Sequence, residues 1–482
     1  MTKLLYTSND WTFDSLKIAE EAIAEIAFEE LHLNIYPNQI EIISSDQMLD
    51  AYSSNGLPMM YNHWSFGKHF IQQEYNYRKG NSGLAYEIVI NSSPCISYLM
   101  EENSMTMQTL VIAHAAYGHN HFFKNNYLFK QWTDAEGILD YLSFAKRYIT
   151  ACEEKYGTKL VEDTLDACHS IMDYGVDRYK RPPKLSKKTE QEQQEARAEY
   201  VQKQANELWS TLPNLKKDKS NVIISNTFPE EPQENLMYFI EKYSPVLESW
   251  QREVIRIVRK VAQYFYPQRQ TKLMNEGWAS FTHYYIMNRL WEKGMISDGN
   301  FLEFIYSHSG VLTQLNYNHK YYNGFNPYAL GFDMYTDIRR ICSEPTKEDE
   351  EYFPHMVGQN WLDTCLDAVQ NYRDESFISQ FLSPELMRKW GLFEITNKQV
   401  DNFVTVSGIQ DLRGYNDVRK SLSHQYSVTE NQPNIQVVNA NLKGTRELKL
   451  HYVSYNNAKL DKNSAKVIDY IKYLWGYGVS ID

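Results

Sequence analysis

The sequence predicts a predominantly helical α+β protein that ends in a small α+β domain. Apolar residues recur at helical spacing through much of the chain, as from Trp11 to Leu33, from Met105 to Phe123 and from Asn235 to Phe265. Few segments look like strands: "NQIEIISS" and "LAYEIVIN" are short, β-branched and bounded by polar residues or glycine. From about Leu392 the pattern changes, with alternating "NFVTVSG", "NIQVVNANL" and "ELKLHYVSY" ahead of a last helical stretch, "SAKVIDYIKYLW".

In chain order, the first helix lies within Trp11 to Leu33, with Ser8, Asn9 and Asp10 available to cap it. Between the two early strands, "YNHWSFGKHFIQQEYNYRKG" reads as a loop followed by a helix. Asn103 and Ser104 are helix-start residues before the apolar run from Met105 to Phe123. "FAKRYITACEEKYG" and "VEDTLDACHSIMDYGVDRY" are two more helices, ended by Pro182-Pro183. The next segment, "KLSKKTEQEQQEARAEYVQKQANELW", is nearly free of apolar residues in its first half and reads as a solvated helix or insertion. A long helix starting at Asn235 is expected to bend at Ser244-Pro245, and another runs from about Asn275 to Lys293. These shifts divide the chain into an N-terminal α+β region (1–181), a polar helical insertion (182–234), a second helical region (235–395) and a separate C-terminal α+β unit (396–482).

A chain of 482 residues is long enough for two or three domains and a large core. The formal net charge of -12 argues against a general nucleic-acid binder, which needs a basic stripe to displace counterions from phosphate. The five cysteines, Cys95, Cys152, Cys168, Cys342 and Cys365, are scattered and show no C-x-x-C spacing, so neither a disulfide framework nor a thiolate zinc site is expected. The N-terminal segment lacks the apolar core of a signal peptide, and no run approaches the length of a membrane span. A cytoplasmic location fits these observations best.

The stretch "TLVIAHAAYGHNHFFKNN" holds His114, His119 and His121 in a buried helix after a strand. On an ideal α-helix, His114 and His119 lie about 140° apart and cannot share a ligand, because zinc helices of the H-E-x-x-H type space their histidines four apart. A π-bulge absorbs one extra residue, and Gly118 eases such a distortion. Downstream, Glu276 in "TKLMNEGWASFTHYY" occupies the kind of helix position from which zinc hydrolases draw a third ligand, and His283 lies two turns along the same face. His114, His119 and Glu276 are therefore the candidate metal ligands, for zinc or another divalent transition metal. Ala115 stands where H-E-x-x-H enzymes carry their general base. Glu101 and Glu102 before the histidine helix, and Glu87 on the preceding strand, are the carboxylates that could replace it. Glu102 and His283, the latter behind a metal ligand or at a developing oxyanion, are the candidate catalytic residues. Lone histidines on apolar faces are more often hydrogen-bonded core residues, the reading for His121, His169 and His308. Cys95 in "NSSPCISY" could be a nucleophile, but free cysteines commonly act as small buried hydrophobes.

The order strand, histidine helix, long interval, glutamate helix resembles the glutamate-zincin metallopeptidases and implies a zincin-like strand with two ligand helices. Over nearly its full length the chain also resembles the SpoVR family, named for stage V sporulation protein R. The strings that carry the resemblance include "HWSFGK", "AYEIVINSSPCISYLMEEN", "VIAHAAYGHNHFFKNNYLF", "DYGVDRYKRPP", "LMNEGWASF" and "NPYALGFDMYTDIRRIC". That resemblance implies a cytoplasmic bacterial protein linked to spore cortex assembly or to stress response. It also implies two partners, a PrkA-type serine kinase with an AAA+ ATPase domain and a von Willebrand factor A-like protein. It implies no particular reaction. Two functions follow from the sequence: a divalent-metal hydrolase of peptide or amide bonds, or a non-catalytic regulatory partner of the kinase and the von Willebrand-type protein, which the missing glutamate at position 115 favours.

Overall fold

The computed structural model of the protein describes residues 4–54, 60–78, 87–180, 228–229, 231–316, 318–322, 324–392, 395–396, 405–406, 412–432, 434–454 and 464–482. Most of these residues are helical, and the strands form three small sheets. Among the described residues no helix is long and apolar enough to cross a membrane. The expected insertion at 182–234 falls almost wholly outside the described residues.

The first helix spans Phe13–Glu29 and is capped by Thr12 rather than by the polar residues before it. Thr12 accepts from the Ser15 backbone N–H, and the Ser15 hydroxyl accepts from that of Thr12, so a reciprocal box satisfies two otherwise unpaired donors. The first sheet has the order β1-β3-β2, where β1 is Asn38–Ile43, β2 is Glu87–Ile90 and β3 is Cys95–Met100. β1 runs parallel to β3, and β2 runs antiparallel to it with Glu87 opposite Leu99. The central strand, β3, shows no alternation in sequence because it is buried on both faces. β2 does alternate: Val89 joins the core around the histidine helix, while Ile88 and Ile90 face other clusters, so Glu87 shares the face that meets the histidines.

The helix expected to bend at Pro245 is instead two helices, Leu236–Tyr243 and Ser249–Gln270. Ser244 precedes the proline and takes an extended ψ of 128°, as the clash with a following proline ring favours. The C-terminal part packs closely on the rest of the chain. Helix Leu412–Tyr426 contributes Tyr415 and Leu422 to the same core as the histidine and glutamate helices. The last sheet, β4 (Asn434–Ala440), β5 (Leu448–Val453) and β6 (Val479–Ile481), shares a core with helices Ile138–Tyr156, Thr158–Ser170 and Leu236–Tyr243. Trp475 stacks on Phe239, and the Ser244 hydroxyl donates to Leu474 O at 2.8 Å. The one apolar face of this sheet and the last helix bury themselves against the main body.

The glutamate helix, Lys272–Glu292, is approached by backbone on two sides. A Cβ at Gly118 would lie 2.7 Å from Ala279 Cα, and one at Gly277 would lie 2.4 Å from the carbonyl carbon of Gly331 in helix Pro327–Ser343. These glycines set the closeness of three helices, and backbone cannot retreat as a flexible side chain can. Gly277→Ala should therefore destabilise the protein by about 1–3 kcal/mol or more through overpacking. A thermal melt within a degree or so of the parent would contradict this crossing geometry.

Candidate metal centre

The histidine helix begins at Met105, capped by Ser104, and continues without interruption to Asn125. Its middle, Ala113–His119, is a π-helix. In a π-turn the backbone bond spans five residues, as in Asn120 N–H donating to Ala115 O, so residue i+5 returns over residue i. His114 and His119 thus face the same way, with ring centroids 4.6 Å apart. The extra residue is accommodated by the small side chains of Ala113, Ala115, Ala116 and Gly118, all buried against neighbouring helices. Ala115 is 0% exposed, so a glutamate at this position would have no room.

The glutamate helix is fixed at its start by Asp374, whose carboxylate oxygens accept from Leu273 N–H and Met274 N–H, both at 2.9 Å. Two residues on, Glu276 reaches the histidines: its Oε2 lies 3.4 Å from His119 Nε2 and 3.9 Å from His114 Nε2. Glu87 of β2 enters from the other side, with Oε1 at 3.1 Å from His114 Nε2 and 3.9 Å from His119 Nε2. His114, His119 and Glu276 are thus brought together. Glu102 is not, because it is exposed in the turn that precedes the histidine helix, and Glu87 occupies the position expected of it. Of the two positions expected of His283, the structure gives the one behind a candidate ligand. Its Nδ1 lies 2.8 Å from His114 Nδ1 and its Nε2 lies 2.8 Å from His308 Nδ1, so both ring nitrogens are engaged and neither is available to an oxyanion.

The side chain of Asn275, which precedes the glutamate, accepts from His119 Nδ1 at 3.0 Å and turns the Nε2 of that ring toward the carboxylates. Electrostatics divides the two imidazoles. Burial, reinforced by His119 and His283, holds the His114 pKa well below its ordinary value and keeps the ring neutral. Burial alone would also lower that of His119, but the Glu276 carboxylate outweighs it and pushes the value up to about 9. Burial raises the Glu87 carboxyl to about 8, even though the nearby His119 opposes it.

Two donors at 2.0–2.2 Å from a tetrahedral ion stand roughly 3.3–3.6 Å apart. The four nitrogen–oxygen separations, 3.1, 3.4, 3.9 and 3.9 Å, bracket that spacing. Glu276 Oε2 is buried and makes no close hydrogen bond, its nearest cation being the protonated His119 ring at 3.4 Å, a place that a metal ion could take. Imidazole nitrogen with carboxylate oxygen is a donor set that suits zinc and its neighbours.

The protonation states carry a pH prediction. His119 and Glu87 bind protons more tightly in the folded, metal-free protein than their ordinary values of 6.5 and 4.5. The stability gained from those protons is present below the ordinary values and is lost as pH rises through about 9 for His119 and about 8 for Glu87. A metal ion competes with the His119 proton for the same lone pair, so zinc affinity should increase with pH across this window, with proton release on binding. Calorimetric titration in buffers of different ionisation enthalpy reads both. An affinity that does not change with pH would contradict the assignment of the His119 proton.

The remaining histidines divide as their neighbours dictate. His121 Nδ1 accepts from Asn34 N–H at 3.0 Å and the ring packs on Trp278. His169 Nε2 pairs with the Tyr61 hydroxyl at 2.6 Å. Cys95 is buried, its thiol pushed up to about 12 by burial and directed at Ile90 O, which suits a packing role and not a nucleophile. His308 is buried, as expected of a lone histidine on an apolar face, and no local signal marks its contact with His283, which arises only through packing of the helix Asp298–Val311.

A family model described as SpoVR like protein matches residues 10–431, and one described as SpoVR-like C-terminal domain matches residues 433–482. The latter begins next to the first strand of the last sheet, Asn434. A protein of Escherichia coli (strain K12), named "Uncharacterized protein YcgB", is 53% identical over 481 residues, which covers 100% of this chain and 94% of that protein. No solved structure matches the chain.

Proposed function

The chain belongs to the SpoVR family, and from that premise and the geometry of the histidine–glutamate cluster we propose that it is a divalent-metal-dependent hydrolase of peptide or amide bonds. The observation that carries the proposal is that His114 Nε2 and His119 Nε2 each lie within 3.9 Å of both Glu276 Oε2 and Glu87 Oε1, with one donor atom each of His114, His119 and Glu87 within 4.8 Å of one another. In this reading His114, His119 and Glu276 hold the ion, as in glutamate-zincins, and Glu87 supplies the base that Ala115 cannot. When bound, the ion would polarise the substrate carbonyl and acidify a water molecule.

The chain's own residues do the rest. Asn275 orients His119 and His283 orients His114, so both imidazoles present Nε2 lone pairs to the centre. Glu87, with its pKa raised toward neutrality, is suited to take a proton from the attacking water and return it to the leaving amine.

One feature of the same cluster favours a second reading. Four donors can close a tetrahedral site completely, and a closed site is structural. If Glu87 is itself a ligand, the ion stabilises the fold, and the protein is a non-catalytic partner of other proteins, such as a PrkA-type kinase and a von Willebrand factor A-like protein. The hydrolase reading is tested by incubating the zinc-loaded protein with a random peptide pool and following cleavage by mass spectrometry. Cleavage that a chelator abolishes and zinc restores is the expected result. A metal-replete protein that cleaves nothing in the pool would favour the structural reading.

A further inference from the structure

Three imidazoles stand in line behind the metal-facing end of the cluster. His114 Nδ1 meets His283 Nδ1 at 2.8 Å, and His283 Nε2 meets His308 Nδ1 at 2.8 Å. All three rings are buried. They come from three elements: the π-helix, the glutamate helix and the helix Asp298–Val311. Around His308 lie Phe304, Tyr284 and Phe332, which fix its plane by ring contacts.

Between two neutral imidazoles, each hydrogen bond needs one N–H and one lone pair. A neutral ring has one of each, so fixing the proton on the first ring fixes it on all three. Other titratable groups beside the three rings are His119, Glu87 and Glu276 at the metal-facing end, Tyr328 stacked on His114 and Tyr284 stacked on His308.

We propose that this chain is a tautomer lock: a metal ion on His114 Nε2 forces one hydrogen-bond polarity on all three rings, and His308 is the positioning residue that terminates it. The proposal rests on the metal reading above. With the ion on His114 Nε2, His114 carries its proton on Nδ1 and donates to His283 Nδ1. His283 then carries its proton on Nε2 and donates to His308 Nδ1, and His308 carries its proton on Nε2. Each ring keeps one proton, so no net charge enters the core. His308, remote from the ion, thereby keeps the His114 lone pair on it, as the hydrogen-bonded partners of metal-bound histidines do elsewhere.

Substitution at position 308 separates this role from packing. In His308→Asn the side-chain oxygen can take the place of Nδ1 and accept from His283, whereas His308→Phe keeps bulk and removes the acceptor. Zinc affinity is expected to stay near that of the parent in His308→Asn and to fall by about 10- to 100-fold in His308→Phe. Nitrogen-15 spectra of histidine-labelled, zinc-loaded protein should show His283 and His308 both protonated on Nε2. Zinc bound at His114 with His283 or His308 protonated on Nδ1, or equal affinities for the two variants, overturns the lock while leaving the metal site standing. A parent protein that binds no zinc overturns the lock and the metal reading together.

Discussion

Glu87→Gln should keep close to its full complement of metal and lose about 100- to 10,000-fold in turnover of any amide substrate that the parent cleaves, the range that a positioned general base contributes. The amide has nearly the volume of the carboxylic acid, so β2 and its pairing with β3 should be undisturbed. Gln cannot accept the proton that Glu87, with its pKa raised to about 8 by burial, is placed to take. The variant also removes a carboxyl that is costly to ionise beside Glu276, so the metal-free protein should be no less stable than the parent. The measurement is turnover alongside metal content. If metal is lost with activity, Glu87 is a ligand, the site is closed, and the structural reading gains.

Glu276→Gln should do the reverse at the binding step. An amide oxygen is a much poorer donor to a divalent transition metal than a carboxylate, and volume again hardly changes. Outer partners of a metal site cost about 10- to 100-fold in affinity when removed, so a ligand itself should cost at least that. The change also strips His119 of the carboxylate that raises its pKa, so its proton should be held less tightly. Stability lost in this variant should return with excess zinc, by mass action on the folded state. Affinity equal to that of the parent would remove Glu276 from the ligand set.

Much of this site was legible in the sequence, and the limits have physical causes. The five-residue spacing of His114 and His119 is incompatible with an α-helix, which made a π-turn the only way for both to face one point, and Gly118 marked where it would fall. Glu276 and His283 were readable because seven residues make two turns, although the role of His283 depends on His308, a partner that lies 25 residues away and that no periodicity announces. Glu102 looked close to the histidines along the chain but is exposed in a turn, whereas Glu87 reaches them across the sheet, by strand pairing that a single sequence does not encode locally. β3 went unread for a related reason: buried on both faces, it lacks the alternation by which β2 is recognised. The strands of the tail alternate cleanly, so the sequence shows which of their faces is apolar but not what covers it. What they pack against, Phe239 and the helices around it, lies some two hundred positions earlier.

The measurement that bears most directly on the central claim is elemental analysis of the full-length protein purified without a histidine tag, paired with thermal melts on adding zinc, manganese or iron. The account predicts close to one equivalent of a divalent transition metal per chain, most of it zinc, and restored stability when a chelated sample is resupplied. A protein that contains no metal, and whose melting is unmoved by any of the three ions, would contradict it.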